Sequence, residues 1–193
     1  MSPYSFLQHF DVIFAVDTNS RKIGSDLHSV AAMSILEVLE ITKKPNGAIT
    51  KVKLNMNMFG ALIRGKNIPG NPESWFWKIA IEDGIKKLYP KYSIDLRIGL
   101  VVDSNLDNIE KFNSRELPIY ENYYLPKNIS LIYASADTGS DYVLNKLIMI
   151  CDREACLQLD SIEKGTSTNE VYTKLSGDKE VKVPGTPFRF YDE

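Results

Sequence analysis

Cysteine is almost absent from this 193-residue chain: Cys151 and Cys156 are the only two, five positions apart in CDREAC, a stretch that reads as helix. That spacing sets them on different helix faces, poor geometry for a disulfide. No Cys-x-x-Cys and only two histidines leave no thiol or imidazole cluster for zinc. Two reduced thiols suit the cytosol. Charge of one sign is lacking too: 23 basic and 25 acidic residues leave a net −2, so no global field draws the chain to nucleic acid or membrane, and such binding needs a local patch. Long apolar runs are missing. The opening MSPYSFLQHFDVIFAV has no basic start and no extended apolar stretch, so it reads as neither signal peptide nor membrane span; the expectation is a cytoplasmic protein with no membrane partner. ADTGSD is too poor in glycine for a phosphate loop, and there is neither internal repeat nor low-complexity block.

What remains is an ordinary globular composition, 44% apolar and 25% charged, at a length that suits one domain. Residues 11–17 form a short apolar run rich in Val, Ile and Phe, as buried strands are. LHSVAAMSILEVLEI (27–41) fits neither helix nor strand period cleanly; the flanking loops favour a strand of an antiparallel meander. Pro45 and the Asn46-Gly47 pair mark a turn. KVKLNMNMF then alternates without fault and predicts a half-exposed strand with a basic outer face. Asn71 as cap, Pro72 at the first position and Glu73 in the first turn start a helix that Pro90 ends. SIDLRIGLVVDSN is the next strand, followed by a short helix and a tyrosine-rich loop. NISLIYASA is another strand, and DTGSDYVLNKLIMICDREACLQLD is the clearest long helix, with Tyr142, Leu144, Leu147, Ile148 and Cys151 on its apolar face. Beyond Asp160 apolar density falls. The expectation is one domain over 1–160 with a peripheral extension over 161–193 carrying one or two edge strands.

Two of the strands end in Val-Asp: FAVDTN at Asp17 and LVVDSN at Asp103. Ligands of open α/β sheets bind at the carboxyl ends of strands. Two carboxylates that meet there repel, a cost that a bound cation removes, and hard oxygens suit Mg²⁺ or Mn²⁺. The first helix offers Glu82, which shares a face with Trp75, Ile79 and Ile85 at spacings of 4, 3 and 3, whereas Asp83 points about 100° away. The last helix opens with Asp137 and Asp141. Each acid has a plainer use as a turn former, cap or solvated helix residue. Their order is the signal: first strand, first helix, fourth strand, last helix.

That order, on three antiparallel strands followed by helix, strand, helix, strand and helix, resembles the ribonuclease H-like superfamily from residue 11 to about residue 159. The resemblance implies an α/β fold, a ribonuclease H-like mixed five-stranded sheet flanked by helices. It implies a metal and catalytic set of Asp17, Glu82, Asp103 and Asp141, with Asp137 as the alternative to Asp141. The activity implied is divalent-metal-dependent hydrolysis of phosphodiester bonds by a two-metal mechanism with Mg²⁺ or Mn²⁺, Asp17 bridging both ions. Lys51, Lys53, Arg64 and Lys66, with Lys43 and Lys44, are the candidates to hold a nucleic-acid backbone; a solvated basic sheet face is the plainer reading. Two alternatives stand beside this one. A PIN-like nuclease also has a first strand ending in Asp-Thr-Asn, but follows it with helices. A non-catalytic α/β scaffold for a protein partner draws on IYENYYLP, whose tyrosines suit an interface as well as they suit base stacking.

Overall fold

The computed structural model describes residues 8–47, 49–103, 108–135, 143–166, 172–174 and 180–182, with the backbone alone for 49–61 and the last two segments. The architecture is α/β. Five strands form its central mixed sheet: β1 (Val12–Ile23), β2 (Asp26–Lys43), β3 (Ile49–Lys66), β4 (Ile98–Val102) and β5 (Ile129–Tyr133). Their spatial order is β3-β2-β1-β4-β5, and two short strands, β6 (Tyr172–Lys174) and β7 (Glu180–Lys182), continue the sheet beyond β3. β1, β2 and β3 are antiparallel neighbours, whereas β4 and β5 run parallel to β1. The order is compatible with a ribonuclease H-like fold. β1 is followed by strands and not by helices, which sets the PIN-like arrangement aside.

Helices cover both faces, and this explains the composition of the strands. Along β1, Val12, Phe14 and Val16 enter one apolar cluster with α1 (Pro72–Ile79) and α2 (Ile85–Leu88). Ile13 and Ala15 enter another with α4 (Val143–Glu163). β2 does the same, with Ala31, Met33 and Ile35 on one side and Val30, Ala32 and Leu36 on the other. A strand buried on both faces has no polar alternation, so 27–41 is a strand without a strand's period. A further short helix, α3 (Ile109–Asn113), precedes β5.

α1 starts as its residues direct: the Glu73 N–H donates to Asn71 Oδ1 at 3.0 Å, with Pro72 at the first position. Of the face the spacing predicts, Ile79 and Ile85 are buried and Trp75, only partly buried, packs against the same core, with Phe76 and Trp77 buried besides. A π-helical turn at Ala80–Gly84 then changes the winding between α1 and α2. It buries Ala80, Ile81 and Gly84 and leaves Glu82 and Asp83 half-buried. Gly84 allows a close approach to β2: a Cβ there would stand 2.6 Å from the Met33 sulfur, which would have to shift. α4 buries Leu144, Leu147, Ile148 and Cys151 as expected and continues the stripe to Ala155 and Leu159; Tyr142 lies outside the described residues. Cys151 is buried, Cys156 half-buried, and both are free thiols. α4 runs past residue 160 to Glu163, and β7 pairs with β3 at Leu62–Arg64. No described helix is long and apolar enough to cross a membrane.

Candidate functional site

The parallel register pairs Val16 with Val102, so the next residue on each strand is an aspartate. Neighbouring strands lie ~4.8 Å apart, which sets Asp17 and Asp103 abreast at the carboxyl end of β4. Alternation along β1 turns Asp17 toward α4, on the face that holds Ile13 and Ala15. From α4, Asp152 completes a group of three acids. Asn19, two residues along β1 on the same face, donates from Nδ2 to Asp152 Oδ1 at 3.0 Å. The three acids share the wall of a cavity of about 400 Å³ with Thr18, Asn19 and Ser20. Asn71, Pro72 and Glu73 at the start of α1 close its other side.

The electrostatics of this corner are dominated by Asp17. It is only 9% exposed. Burial pushes its carboxyl up to about 8; the Thr18 backbone N–H opposes the rise, and the nearby Asp152 and Asp103 charges and a hydrogen bond with Asp152 add to it. Asp17 therefore keeps a proton at neutral pH that an exposed aspartate would release. Next to it the Thr18 hydroxyl is buried and has no hydrogen-bond partner among the described residues. Further along the same β1 face, Arg21 holds Asp160 and Glu163 of α4, each at 2.7 Å.

Of the acids named from sequence, Asp17 and Asp103 meet at this cavity. Glu82 is not among the residues that line it. It stands near Tyr123, whose hydroxyl is pushed up to about 12 by burial and then by the Glu82 charge. The acid that α1 presents to the cavity is Glu73. Asp137 and Asp141 lie outside the described residues. Asp152 was not singled out from the sequence, although it carries a signal: it directly follows Cys151 at the border of the apolar stripe, where a helix residue reaches the rim of the sheet. Among the described residues no group of three or more Asp, Glu, His or Cys side chains is placed to hold a metal ion.

The basic candidates separate along the sheet. Asp17 pairs with Ala32, which pairs with Leu62. Arg64 lies on the Asn19–Val30 row and Lys66 on the Arg21–His28 row, both at the acid end of β3. Lys66 reaches Asp26 at 3.4 Å. Lys51 and Lys53 pair with Thr42 and Glu40. Those rows lie eight to ten residues from the Asp17 row along β2, or ~26–33 Å. No known protein family, curated protein or solved structure compared with this chain matches it significantly.

Proposed function

We propose that this chain is a ribonuclease H-like, Mg²⁺- or Mn²⁺-dependent nuclease whose metal ligands are Asp17, Asp103 and Asp152. The observation that carries the reading is Asp17: a carboxyl buried at the end of a central strand, beside two more acids, in an open cavity. Such a group is held at a cost unless a cation replaces its proton. The donor type fits: all three are hard carboxylate oxygens, the class that takes Mg²⁺ and Mn²⁺, with no thiolate or imidazole among the lining residues. Divalent ions held by such oxygens supply an acidified water for attack and positive charge for the phosphoryl oxygens.

The protein's own groups have separable parts. Asn19, through its bond to Asp152, fixes the α4 carboxylate toward Asp17, as residues behind a metal ligand commonly do. Glu73 stands across the cavity as a further acid for orienting water. Arg64 and Lys66, on the rows beyond Asp17, are the cations that a phosphate backbone at this end would meet. The test is cleavage of single- and double-stranded DNA and RNA with Mn²⁺, with EDTA, and with Asp17→Asn. Metal-dependent cleavage that Asp17→Asn removes is the expected result. Cleavage that survives both EDTA and the substitution would place the chemistry elsewhere.

A second reading, a scaffold for a protein partner, is favoured by Tyr124 and Tyr133, which are 48% and 46% exposed. It predicts partner binding that is indifferent to Asp17→Asn and to divalent ions.

A further inference from the structure

β1 begins opposite Glu37, yet β2 and β3 continue as a pair past that point, Val38 opposite Leu54 through Lys43 opposite Ile49. Six residues of two-stranded ribbon, ~20 Å, project beyond the five-stranded sheet. Its turn is closed by the Gly47 N–H donating to the Lys44 carbonyl at 2.9 Å, with Gly47 at φ +81°. The ribbon is seated and not loose at its base. Val38 and Ile41 pack with Phe10 against the α4-side core, and Asp11 clamps Arg97 beneath them with contacts of 2.8 Å. Beyond Ile41, residues 42–47 are exposed.

The charge of this ribbon is opposite to that of the chain. Residues 38–55 carry Lys43, Lys44, Lys51 and Lys53 against Glu40 alone, net +3 in a protein of net −2. Lysines at a ribbon's edge also discourage edge pairing. Lysine is the common choice for that purpose; four lysines on so short a ribbon also concentrate positive charge that a phosphate backbone would meet. A two-stranded ribbon also has the width that the B-form major groove admits, about 12 Å, while the A-form groove of duplex RNA is too deep and narrow for it. The lysine rows stand ~26–36 Å along the sheet from the Asp17 row, close to the ~34 Å of one B-form turn.

We propose that the β2–β3 ribbon is a duplex-DNA anchor that engages the substrate about one helical turn from the acid cavity, which makes double-stranded DNA the substrate class. The assignment rests on the nuclease reading for its link to cleavage, but the ribbon's binding can be measured without it. The experiment is fluorescence anisotropy in EDTA with a labelled 20-base-pair DNA duplex, the matching single strand and the matching RNA duplex, across a salt series. Two full-length variants are compared with wild type: one with Lys43, Lys44, Lys51 and Lys53 all replaced by Gln, the other with all four replaced by Arg. Circular dichroism melting confirms that each is folded.

Wild type is expected to prefer duplex DNA. The Gln variant should lose about tenfold or more in affinity, and its log K against log salt slope should fall by about 3 to 4, the signature of lost phosphate contacts. The Arg variant should keep both. Unchanged affinity and slope in the Gln variant would overturn the proposal, as would a wild type that prefers the single strand or duplex RNA, or that binds no duplex. A wild type that binds duplex through the ribbon but cleaves nothing in Mn²⁺ would leave the anchor standing and remove the nuclease reading. Metal-dependent cleavage of duplex by a Gln variant of undiminished affinity would do the reverse.

Discussion

Two aspartates six residues apart on the same run of chain, Asp11 and Asp17, have opposite electrostatic fates. Asp11 lies at the base of the ribbon, where side-chain and backbone hydrogen bonds from Arg97 hold its carboxyl below the usual range. Asp17 lies at the other end of β1, where burial and two acid neighbours push its carboxyl up to about 8. One carboxylate is satisfied by a guanidinium; the other has acids for neighbours. The difference bears on where a cation would be stabilising. A cation at the Asp11 end would displace an existing partner, whereas a cation at the Asp17 end would relieve repulsion and desolvation together.

The largest expected effect separates the two ends by activity. Asp17→Asn should bring Mn²⁺-dependent cleavage to background while duplex affinity in EDTA stays within about twofold, because the proposed phosphate contacts lie on the ribbon. Replacement of the four ribbon lysines should do the opposite, weakening binding and leaving single-turnover cleavage of bound duplex intact. Single-turnover kinetics beside anisotropy measures both; equal loss of chemistry in the two variants would merge the ends into one site.

Next in size is the helix that carries Glu73 to the cavity. Trp77 is 1% exposed in the core, so Trp77→Ala should cost roughly 3–5 kcal/mol. Trp75, half-buried at the edge of that core, should cost only about 1–2 kcal/mol on the same substitution. Urea denaturation of both variants checks the order, and a larger loss at Trp75 would mean that α1 is rotated from the face described above.

A smaller effect concerns pH in the absence of metal. Asp17 has a folded-state value of about 8 against 3.8 for an ordinary aspartate, so the folded state binds the extra proton. Its contribution is therefore fully present below about pH 4 and is lost as pH rises toward 8. In EDTA, Asp17→Asn should raise stability at pH 8 by roughly 1–3 kcal/mol, with little change at pH 4. Melting temperatures across that range decide it; a variant less stable than wild type at pH 8 would show that the ionised carboxylate is already satisfied.

Asp11 supplies the smallest effect, of opposite sign. Its lowered carboxyl contributes stability above the unfolded value that is lost as pH falls through the folded one. More than a third of its side chain is exposed, so screening reduces the pair with Arg97 to under about 1 kcal/mol. Asp11→Asn should lower stability slightly at pH 7 and not at pH 2–3. A gain at pH 7 would erase the contrast with Asp17.

Much of this fold is legible in the residues. Val-Asp at the ends of two apolar runs marks β1 and β4, and Asn71-Pro72 marks the start of α1. The face of β2 was illegible because α1 and α4 bury both of its sides, leaving no polar period to read. Glu82, expected on the face of Trp75, Ile79 and Ile85, lies within a π-turn, which leaves no mark in an apolar period, and does not line the cavity. Asp152 is less legible in the sequence because no cap or first-turn signal marks it; Asn19 meets it at the tenth residue of the described helix. Lys51 and Lys53 read with Arg64 and Lys66 as one basic group because they share β3, but its 18 residues set the two pairs on rows far apart along the sheet.

The central claim is that Asp17, Asp103 and Asp152 converge on divalent ions. Anomalous diffraction from crystals of the full-length protein grown with Mn²⁺ tests it most directly. The account predicts manganese in the cavity with a carboxylate oxygen from each of the three residues at ~2.0–2.3 Å. Manganese bound elsewhere, or a cavity in which the three carboxylates remain too far apart to share an ion at saturating Mn²⁺, would contradict it.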